Sequence, residues 1–165
     1  MVCTDSSYRT DDVGDCIRHL RLGSLTVYQK GIEEGGRRKE EGEMNDFFYK
    51  KVDAYHIAKD FVIYVYSLLE KYPQKENYAL CDQIRRAVIS VPSNIAEGMG
   101  RSSIKERIHF LEIAFGSLSE VSCQLDISES LGYISAEELH EAELKTEHLS
   151  MVMSGLKHYL ESKIV

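Results

Sequence analysis

The sequence predicts an all-α protein, an antiparallel up-down four-helix bundle formed by residues 44–165. Three observations lead to this prediction. Apolar residues recur every three or four positions in four separate segments, which is the spacing of one face of an amphipathic helix. Capping sequences and helix stops separate these segments, and none alternates as a half-buried strand would. Four helices of roughly 24–28 residues joined by short connections must lie antiparallel to their neighbours.

The first helix is predicted from about Asp46 to Tyr72, because Pro73 disfavours helical geometry in the residue before it. Its apolar residues fall on two adjacent stripes, Ala54, Ile57, Phe61, Tyr64 and Leu68 on one and Ala58, Val62, Val65 and Leu69 on the other. Two stripes make a face wider than one neighbouring helix covers. Since large exposed apolar patches usually mark association, this helix predicts an interface with further copies of the chain.

The second helix is predicted from about Glu76 to Met99. Its inward seam comprises Leu80, Ile84, Ala87, Val88, Val91, Ile95 and Met99. Pro92 lies inside it, removes one backbone hydrogen bond and is expected to kink the helix. Gly98 and Gly100 supply the C-terminal stop.

The third and fourth helices are each predicted to begin with a capping box, a serine followed three residues later by a glutamate. The boxes start at Ser103 and Ser135, and Gly132 ends the third helix between them. The third seam comprises Ile104, Ile108, Leu111, Phe115, Leu118, Ser122 and Leu125. The fourth comprises Leu139, Ala142, Thr146, Leu149, Met153, Leu156 and Leu160.

Residues 1–43 have a different composition. The segment 31–43 mixes both charge signs with four glycines and one apolar residue. Such a segment cannot bury enough surface to offset the entropy lost on ordering. We expect either a weakly ordered leader or an N-terminal extension that precedes a biological start at Met44, and both alternatives remain open.

Charge and hydropathy restrict the partners. The net charge of −7 argues against a protein that coats nucleic acid non-specifically. Residues 44–107 carry ten Lys/Arg and eight Asp/Glu, whereas residues 108–165 carry three and ten, so only the N-terminal half is expected to offer a cationic face. No apolar run reaches the roughly 18 residues of a membrane span, and no secretory signal is apparent. We expect a cytoplasmic protein without membrane contact.

The four cysteines show no C-x-x-C spacing. Cys3 and Cys16 lie in the polar leader, and Cys81 and Cys123 lie in helical segments. This arrangement indicates isolated reduced thiols, the last two partly buried, rather than a zinc knuckle or a redox pair.

One catalytic constellation, a di-iron carboxylate site, is tested and rejected. Such bundles use two E-x-x-H motifs, and the chain has Glu106 with His109 and Glu137 with His140. Both motifs open helices that start at opposite ends of the bundle, about 25–30 Å apart at a rise of 1.5 Å per residue. A dimetal site needs ions about 4 Å apart. No nucleophile or phosphate-loop motif occurs, so the sequence predicts no enzyme, no cofactor and no small-molecule substrate.

The end of the second helix carries a polar stripe opposite its seam. The stripe comprises Arg86, Ser90, Ser93, Asn94, Glu97 and Arg101. Serine and asparagine can satisfy backbone groups freed by Pro92, and Glu97 can pair with an arginine, which is a structural role. A polar subunit contact or a nucleic-acid face is the alternative, and the residues leave both open.

The candidate nucleic-acid-binding residues are cationic and surround this helix and the following turn. They are Arg85, Arg86, Arg101, Lys105 and Arg107. The acidic residues 108–165 repel phosphate within about a Debye length, ~8 Å at physiological salt. Any RNA affinity is therefore expected to be modest and strongly salt-dependent.

The same stretch resembles a known family. The segment 82–87, the segment Ser90-Val-Pro-Ser-Asn-Ile-Ala-Glu-Gly98 (with Pro92, Ser93, Asn94 and Glu97) and Arg101 resemble the four-helix bundle family encoded in intervening sequences of bacterial 23S ribosomal RNA. Residues 110–120 and 131–133 resemble that family's third helix and its exit. The resemblance covers about residues 47–161 and excludes 1–43.

The resemblance implies a closed homopentamer of bundles without catalytic activity. The chain is also similar to the accessory variability determinant of diversity-generating retroelements, a strongly basic pentameric relative that binds a reverse transcriptase and nucleic acid. We therefore expect a non-enzymatic homo-oligomer that acts as a binding or scaffold protein linked to ribosomal RNA or another RNA-containing complex. The alternative is an adaptor that docks on a protein such as a reverse transcriptase without contacting nucleic acid itself.

Overall fold

The computed structural model of the protein describes residues 47–164. It contains four α-helices, α1 (Asp53–Leu69), α2 (Leu80–Gly100), α3 (Ile104–Ser130) and α4 (Ala136–Glu161), and two short 3-10 helices, Phe48–Lys51 and Gln74–Glu76. No residue in the range 47–164 belongs to a strand, so the all-α prediction is confirmed. The predicted leader, residues 1–43, lies outside the described residues.

The helices form a four-helix bundle in which α1 contacts α2 and α4, and α3 contacts the same two helices. Contacts at two levels give the relative direction of α2 and α3. Ser90 of α2 meets Ser117 of α3, with 2.8 Å between the hydroxyl oxygens. Ten residues earlier on α3, the backbone of Arg107 lies beside Gly98 of α2. The residue number thus rises along α2 from Ser90 to Gly98 and falls along α3 from Ser117 to Arg107. Helices α2 and α3 therefore run in opposite directions.

Side-chain pairs place α4 in the same way. The pairs are Lys157 with Glu112, Lys71 with Glu138, and Lys145 with the ring of Tyr64. The Lys157–Glu112 pair joins the C-terminal part of α4 to the N-terminal part of α3. From the Lys71–Glu138 pair to the Lys145–Tyr64 pair, the residue number falls along the α1 segment and rises along α4. Helix α4 therefore runs opposite to both α1 and α3.

These directions define two ends of the bundle. At one end lie the 3-10 helix Phe48–Lys51, the α2–α3 turn and the C-terminus of α4, and we call it the turn end. At the other lie the α1–α2 and α3–α4 connections, and we call it the loop end. We call the residues nearer each end the turn half (47–60, 91–117 and 149–164) and the loop half (61–90 and 118–148).

The boundaries predicted for the first helix are wrong at both ends. The chain forms the 3-10 helix Phe48–Lys51, Val52 then takes an extended conformation (φ −104°, ψ 119°), and α1 begins only at Asp53. The extended residue buries its own side chain and lets the preceding turn pack back onto the core. The helix ends at Leu69, because the chain turns there towards a loop in which the ring of Tyr72 lies 5.4 Å from that of Tyr133.

Both apolar stripes of α1 are turned into the bundle itself. All nine side chains of the two stripes are buried or half-buried, and the fully buried ones are Ala54, Ala58, Phe61, Val65, Leu68 and Leu69. The face left to solvent carries Ile63, 63% exposed, and Tyr66, 38% exposed. The two stripes therefore do not by themselves leave an unpartnered apolar face. The exposed apolar side chains that α1 offers to another copy are Ile63 and Tyr66 instead.

The interior contains residues that the predicted seams omitted. Cys81, Ala114, Val121, Ile134 and Tyr159 are buried, whereas Ile104, Ile108, Phe115, Leu139 and Leu156 are only half-buried against the core. A seam drawn as one line misses the residues on either side of it, because each helix of a bundle touches two neighbours. Of the two helical thiols, Cys81 is buried but Cys123 is exposed, so its predicted partial burial is wrong.

The two predicted capping boxes differ in outcome. Both helices begin where predicted, after Ser103 and after Ser135. At Ser135 the box is formed, because its N–H donates to Glu138 Oε2 at 2.9 Å and the Glu138 N–H donates to its hydroxyl at 3.3 Å. The Ser103 side chain makes no capping hydrogen bond, so the predicted box is wrong there.

The end of α3 agrees with the predicted stop. Gly132 has a positive φ of 74°, the left-handed conformation that glycine adopts without steric cost. The Gly132 N–H donates to the Glu129 carbonyl at 2.8 Å, and the Tyr133 N–H donates to the Ser128 carbonyl at 2.9 Å. This is a Schellman motif, which satisfies the last carbonyls of α3.

Candidate nucleic-acid interface

The structure divides the five predicted cationic residues into two groups. Arg85 and Arg86 lie in the first third of α2, towards the loop end. Arg101, Lys105 and Arg107 lie at the turn end, around the α2–α3 turn. Fifteen helical residues separate Arg86 from Arg101, about 22 Å at a rise of 1.5 Å per residue. The two groups are therefore not one patch.

Four of the five cationic side chains already have partners within the chain. Arg86 and Arg101 form ion pairs one turn back along α2, with Asp82 and Glu97. The other partners are the Phe110 ring, 4.9 Å from the Arg101 guanidinium, the Asn77 carbonyl, 3.3 Å from Arg85, and the Arg101 carbonyl, 2.7 Å from Arg107 Nε. Lys105 is exposed and makes no ion pair with any residue in the range 47–164. It is the member of the set whose charge is most available to a ligand.

The polar stripe of α2 is bonded largely within the bundle. Asn94 Nδ2 donates to the carbonyl and the hydroxyl of Ser90, at 2.8 and 2.9 Å. Ser90 in turn meets Ser117 of α3, whose hydroxyl also lies 3.1 Å from the Ile113 carbonyl. A half-buried polar seam thus joins the two helices. The structural alternative accounts for these residues without a ligand.

Helix α2 continues through Pro92 from Leu80 to Gly100. The carbonyl that loses its usual donor is that of Val88, four residues before the proline. The adjacent carbonyl, that of Ile89, accepts a hydrogen bond of 2.8 Å from the Ser93 hydroxyl. Ser93 and Asn94 thus donate to the carbonyls of Ile89 and Ser90, which follow the freed one, rather than to the freed carbonyl itself as predicted.

Helices α2 and α3 approach each other closely at Gly98. A Cβ at this position would lie 2.9 Å from Phe110 Cβ and 3.3 Å from the Arg107 carbonyl oxygen. Both atoms belong to or adjoin the backbone, so neither can move aside cheaply. The last glycine of the motif is thus required by helix packing. Gly100, two residues on, has open space at the same position.

Charge separates along the axis of the bundle. The turn half contains eight Lys/Arg and six Asp/Glu, a net charge of +2, whereas the loop half contains five and eleven, a net charge of −6. Helix α3 is 27 residues long, about 40 Å at 1.5 Å per residue. The acidic end is therefore several Debye lengths from the basic end at physiological salt.

The turn end also carries an aromatic run that the sequence analysis did not single out. The run consists of Phe47, Tyr49, Tyr55 and His56, whose consecutive ring centroids lie 5.9, 4.7 and 5.6 Å apart. The signal is the sequence Phe-Phe-Tyr-Lys-Lys at 47–51, in which three aromatic residues directly precede two lysines. The first helix is predicted to begin at about Asp46 and therefore includes these residues, so the prediction does not indicate a separate surface here.

Ionisable groups of the loop end are held in one protonation state by their surroundings. The Lys71 ammonium and the Ser135 N–H lower the pKa of the Glu138 carboxyl. Burial, helped by Glu141 and Glu138, raises the pKa of Tyr64 to about 12, and its hydroxyl donates to the Glu138 carbonyl at 3.0 Å. Burial likewise raises the pKa of the Cys81 thiol, which keeps it protonated and unreactive near neutral pH.

The described residues contain neither a candidate metal cluster nor a candidate membrane span. No group of three or more His, Cys, Asp or Glu side chains in the range 47–164 is placed to hold a metal ion. None of the helices in that range combines the length and the apolar character needed to span a bilayer.

Comparison with known proteins agrees with the architecture. Curated proteins give no significant match to the sequence. The family model described as "23S rRNA-intervening sequence protein" matches residues 50–155, which include all of α1, α2 and α3 and most of α4. The matched region also contains the polar seam, Gly98 and the cationic residues described above. The chain therefore belongs to the family of 23S rRNA-intervening sequence proteins.

Proposed function

We propose that the protein is a non-enzymatic homo-oligomeric four-helix bundle that serves as a binding or scaffold protein for ribosomal RNA or another RNA-containing complex. Membership of the 23S rRNA-intervening sequence protein family is the observation that carries the proposal. The separation of charge supports it. Because the loop end lies about 40 Å from the turn end along α3, the net charge of −6 on the loop half is screened there, and the turn half itself carries a net charge of +2.

The oligomeric part of the proposal is a ring of five copies. The count of five comes from the resemblance to the intervening-sequence family, and cyclic symmetry would repeat one contact around the ring. Ile63 and Tyr66, which lie one turn apart on α1, are exposed apolar side chains suited to such a contact. Light scattering of the purified protein tests the assembly. A monomer mass at micromolar concentration would contradict it.

RNA binding is tested by titrating a labelled ribosomal RNA fragment with the purified full chain at low and high salt. We expect binding that weakens as salt rises, because each phosphate contact releases counterions. Lys105→Glu should weaken binding, whereas Lys75→Glu, an equally exposed lysine in the loop half, should not. No binding by the parent protein at low salt would contradict the RNA part of the proposal.

A second candidate function is that of an adaptor that binds a protein, such as a reverse transcriptase, without contacting nucleic acid. The acidic loop half favours it, since residues 118–148 contain eight carboxylates and one lysine. Such a surface repels phosphate and attracts a basic protein. Gene neighbourhood separates the candidates, because a ribosomal RNA operon beside the gene favours the first and a reverse transcriptase gene favours the second.

A further inference from the structure

We infer that the turn end binds single-stranded RNA, with unstacked bases on the aromatic run and phosphates on three lysines around it. The lysines are Lys51, Lys59 and Lys105. The inference rests on the proposed function and adds to it the place of contact and the form of RNA. It differs from the arginine-centred site expected from the sequence, because all four of those arginines have partners within the chain.

The aromatic run is built as a stacking platform. Tyr49 and Tyr55 are half-buried against the core, which fixes their rings in place. Phe47 is 68% exposed and lies over Tyr49 with an angle of 25° between the ring planes. Its outer face is therefore presented to solvent from a supported position. Exposed aromatic faces of this kind are what proteins use to stack the bases of single-stranded nucleic acid.

Two of the lysines adjoin this platform along the chain, and the third lies at the same end of the bundle. Lys51 ends the 3-10 helix that carries Tyr49, and Lys59 is one turn of α1 beyond Tyr55, on the same face. Lys105 opens α3 at the same end of the bundle. All three are exposed, and none forms an ion pair with a residue in the described range 47–164. They are compact cations available to phosphate.

The loop half offers a contrast that makes this arrangement informative. Lys71, Arg86 and Lys145 form ion pairs with Glu138, Asp82 and Glu141, and Arg85 donates to the Asn77 carbonyl. Among residues 61–90 and 118–148, this leaves Lys75 as the cation without such a partner. Unpartnered positive charge is thus concentrated at the end that also carries the exposed aromatic ring.

Single-stranded RNA fits these features better than a duplex or a second copy of the chain. A duplex hides the faces of its bases, so an aromatic ring gains nothing by approaching it. Core packing accounts for Tyr49 and Tyr55 but gives no reason for an exposed Phe47. Two copies related by a two-fold axis through this same surface would bring three unpaired lysines of each against those of the other. A contact of this surface with a different surface of the next copy in a ring is an outcome that the mass measurement below detects.

The experiment is fluorescence anisotropy of a short labelled oligouridylate and of an RNA duplex, titrated with the full chain. Phe47→Ala and Lys51→Gln test the turn end. Tyr78→Ala and Lys75→Gln are matched controls at the loop end, since Tyr78 is 98% exposed and Lys75 is also exposed without a partner. Circular dichroism and light scattering report whether each variant keeps its helicity and mass.

We expect the parent protein to bind the single strand more tightly than the duplex. Phe47→Ala should lower affinity about tenfold through the loss of one stacked base. Lys51→Gln should reduce the slope of log affinity against log salt by about one. Both loop-end variants should leave affinity within about twofold, since their side chains touch no RNA.

Other results overturn the inference and are separable from the failure of the proposed function. A parent protein that binds RNA while neither turn-end variant weakens it removes the inference alone. Equal weakening by Phe47→Ala and Tyr78→Ala does the same. A change of oligomer mass in Phe47→Ala identifies the platform as a contact between copies and so contradicts it. A parent protein that binds no RNA at low salt overturns both proposals.

Discussion

The loop end and the turn end of the bundle use their polar groups differently. At the loop end, Tyr133 donates to Glu76 at 3.0 Å, Lys71 pairs with Glu138, and the Ser135 capping box is formed. At the turn end, Ser103 forms no cap. There Lys51, Lys59 and Lys105 also lack ion pairs with other described residues. Most cations of the loop half thus have partners within the chain, whereas three lysines of the turn end have no ion pair among the described residues.

The difference separates residues that stabilise the fold from residues that can bind a ligand. A polar group engaged within the chain must be released before it can contact a partner, and that release opposes binding. Groups without partners carry no such cost. By this criterion the four arginines chosen from the sequence are engaged within the fold, and the lysines of the turn end are the residues that we propose to bind RNA. The packing at the turn end is nevertheless tight, because Gly98 lies there.

The largest expected effect is that of Gly98→Ala. The added methyl would meet Phe110 Cβ at 2.9 Å, and overpacking of this kind costs about 1–3 kcal/mol. Alanine returns up to about 1 kcal/mol through its higher helix propensity. We expect a net loss of about 1–2 kcal/mol in the free energy of unfolding. Urea denaturation at fixed protein concentration measures it.

Gly100→Ala is the matched control for this prediction. It adds the same methyl to the same helix, where a Cβ has nothing within 4 Å. We expect a change within about 0.5 kcal/mol of the parent. If Gly98→Ala were as stable as Gly100→Ala, the close approach of α2 to α3 at the turn end would be refuted.

The next effect compares the two helix starts directly. Ser135→Ala removes a formed capping box and should lower the free energy of unfolding by about 1 kcal/mol. Ser103→Ala removes a side chain that makes no cap and should change it by less than about 0.5 kcal/mol. The urea midpoints of both variants provide the measurement. Equal losses would show that the two ends are capped alike.

The smallest effect depends on pH. The Lys71 ammonium and the Ser135 N–H bind ionised Glu138 and hold its pKa below the ordinary value of 4.5. The carboxylate therefore contributes stability above pH 4.5, and the contribution is lost as pH falls through the lowered pKa. Since Lys71 is exposed and Glu138 is half-buried at the surface, solvent screens the pair, and the loss in Glu138→Gln at neutral pH should be only about 0.5 kcal/mol for the ion pair.

Urea denaturation over a series of pH values checks this prediction. The difference between the parent and Glu138→Gln should be constant near neutral pH and shrink in the acidic range below 4.5. Glu106→Gln occupies the equivalent position in α3 without a formed box, and it should cost less at neutral pH. A difference that grew on acidification would contradict the assigned role of Glu138.

The architecture could be predicted from the sequence because helical periodicity is a local property. Four seams, the stop at Gly132 and the starts after Ser103 and Ser135 are all confirmed. The start of α1 could not be predicted from the sequence. Val52 is extended because the preceding turn packs on the core, and that packing is a tertiary effect. The two capping boxes have the same pattern, a serine followed three residues later by a glutamate. The sequence therefore does not reveal which of them forms its hydrogen bonds.

The candidate site was less predictable, because it depends on which distant residues meet. Division of the charge by position in the chain gave a basic first half and an acidic second half, whereas the fold divides it between the two ends. Arg85 and Arg101 are neighbours in that first description and lie at opposite ends of α2 in the structure. The partners of the arginines, and hence the availability of the lysines, appear only when the helices are packed.

The central claim is that polyanions contact the turn end and not the loop end. Lysine acetylation of the parent protein, followed by mass spectrometry with and without a saturating single-stranded RNA, tests it most directly. Lys51, Lys59 and Lys105 should be protected by RNA, while Lys75, equally exposed at the loop end, keeps its rate of modification. Protection of Lys75 equal to or greater than that of the three turn-end lysines would contradict the account.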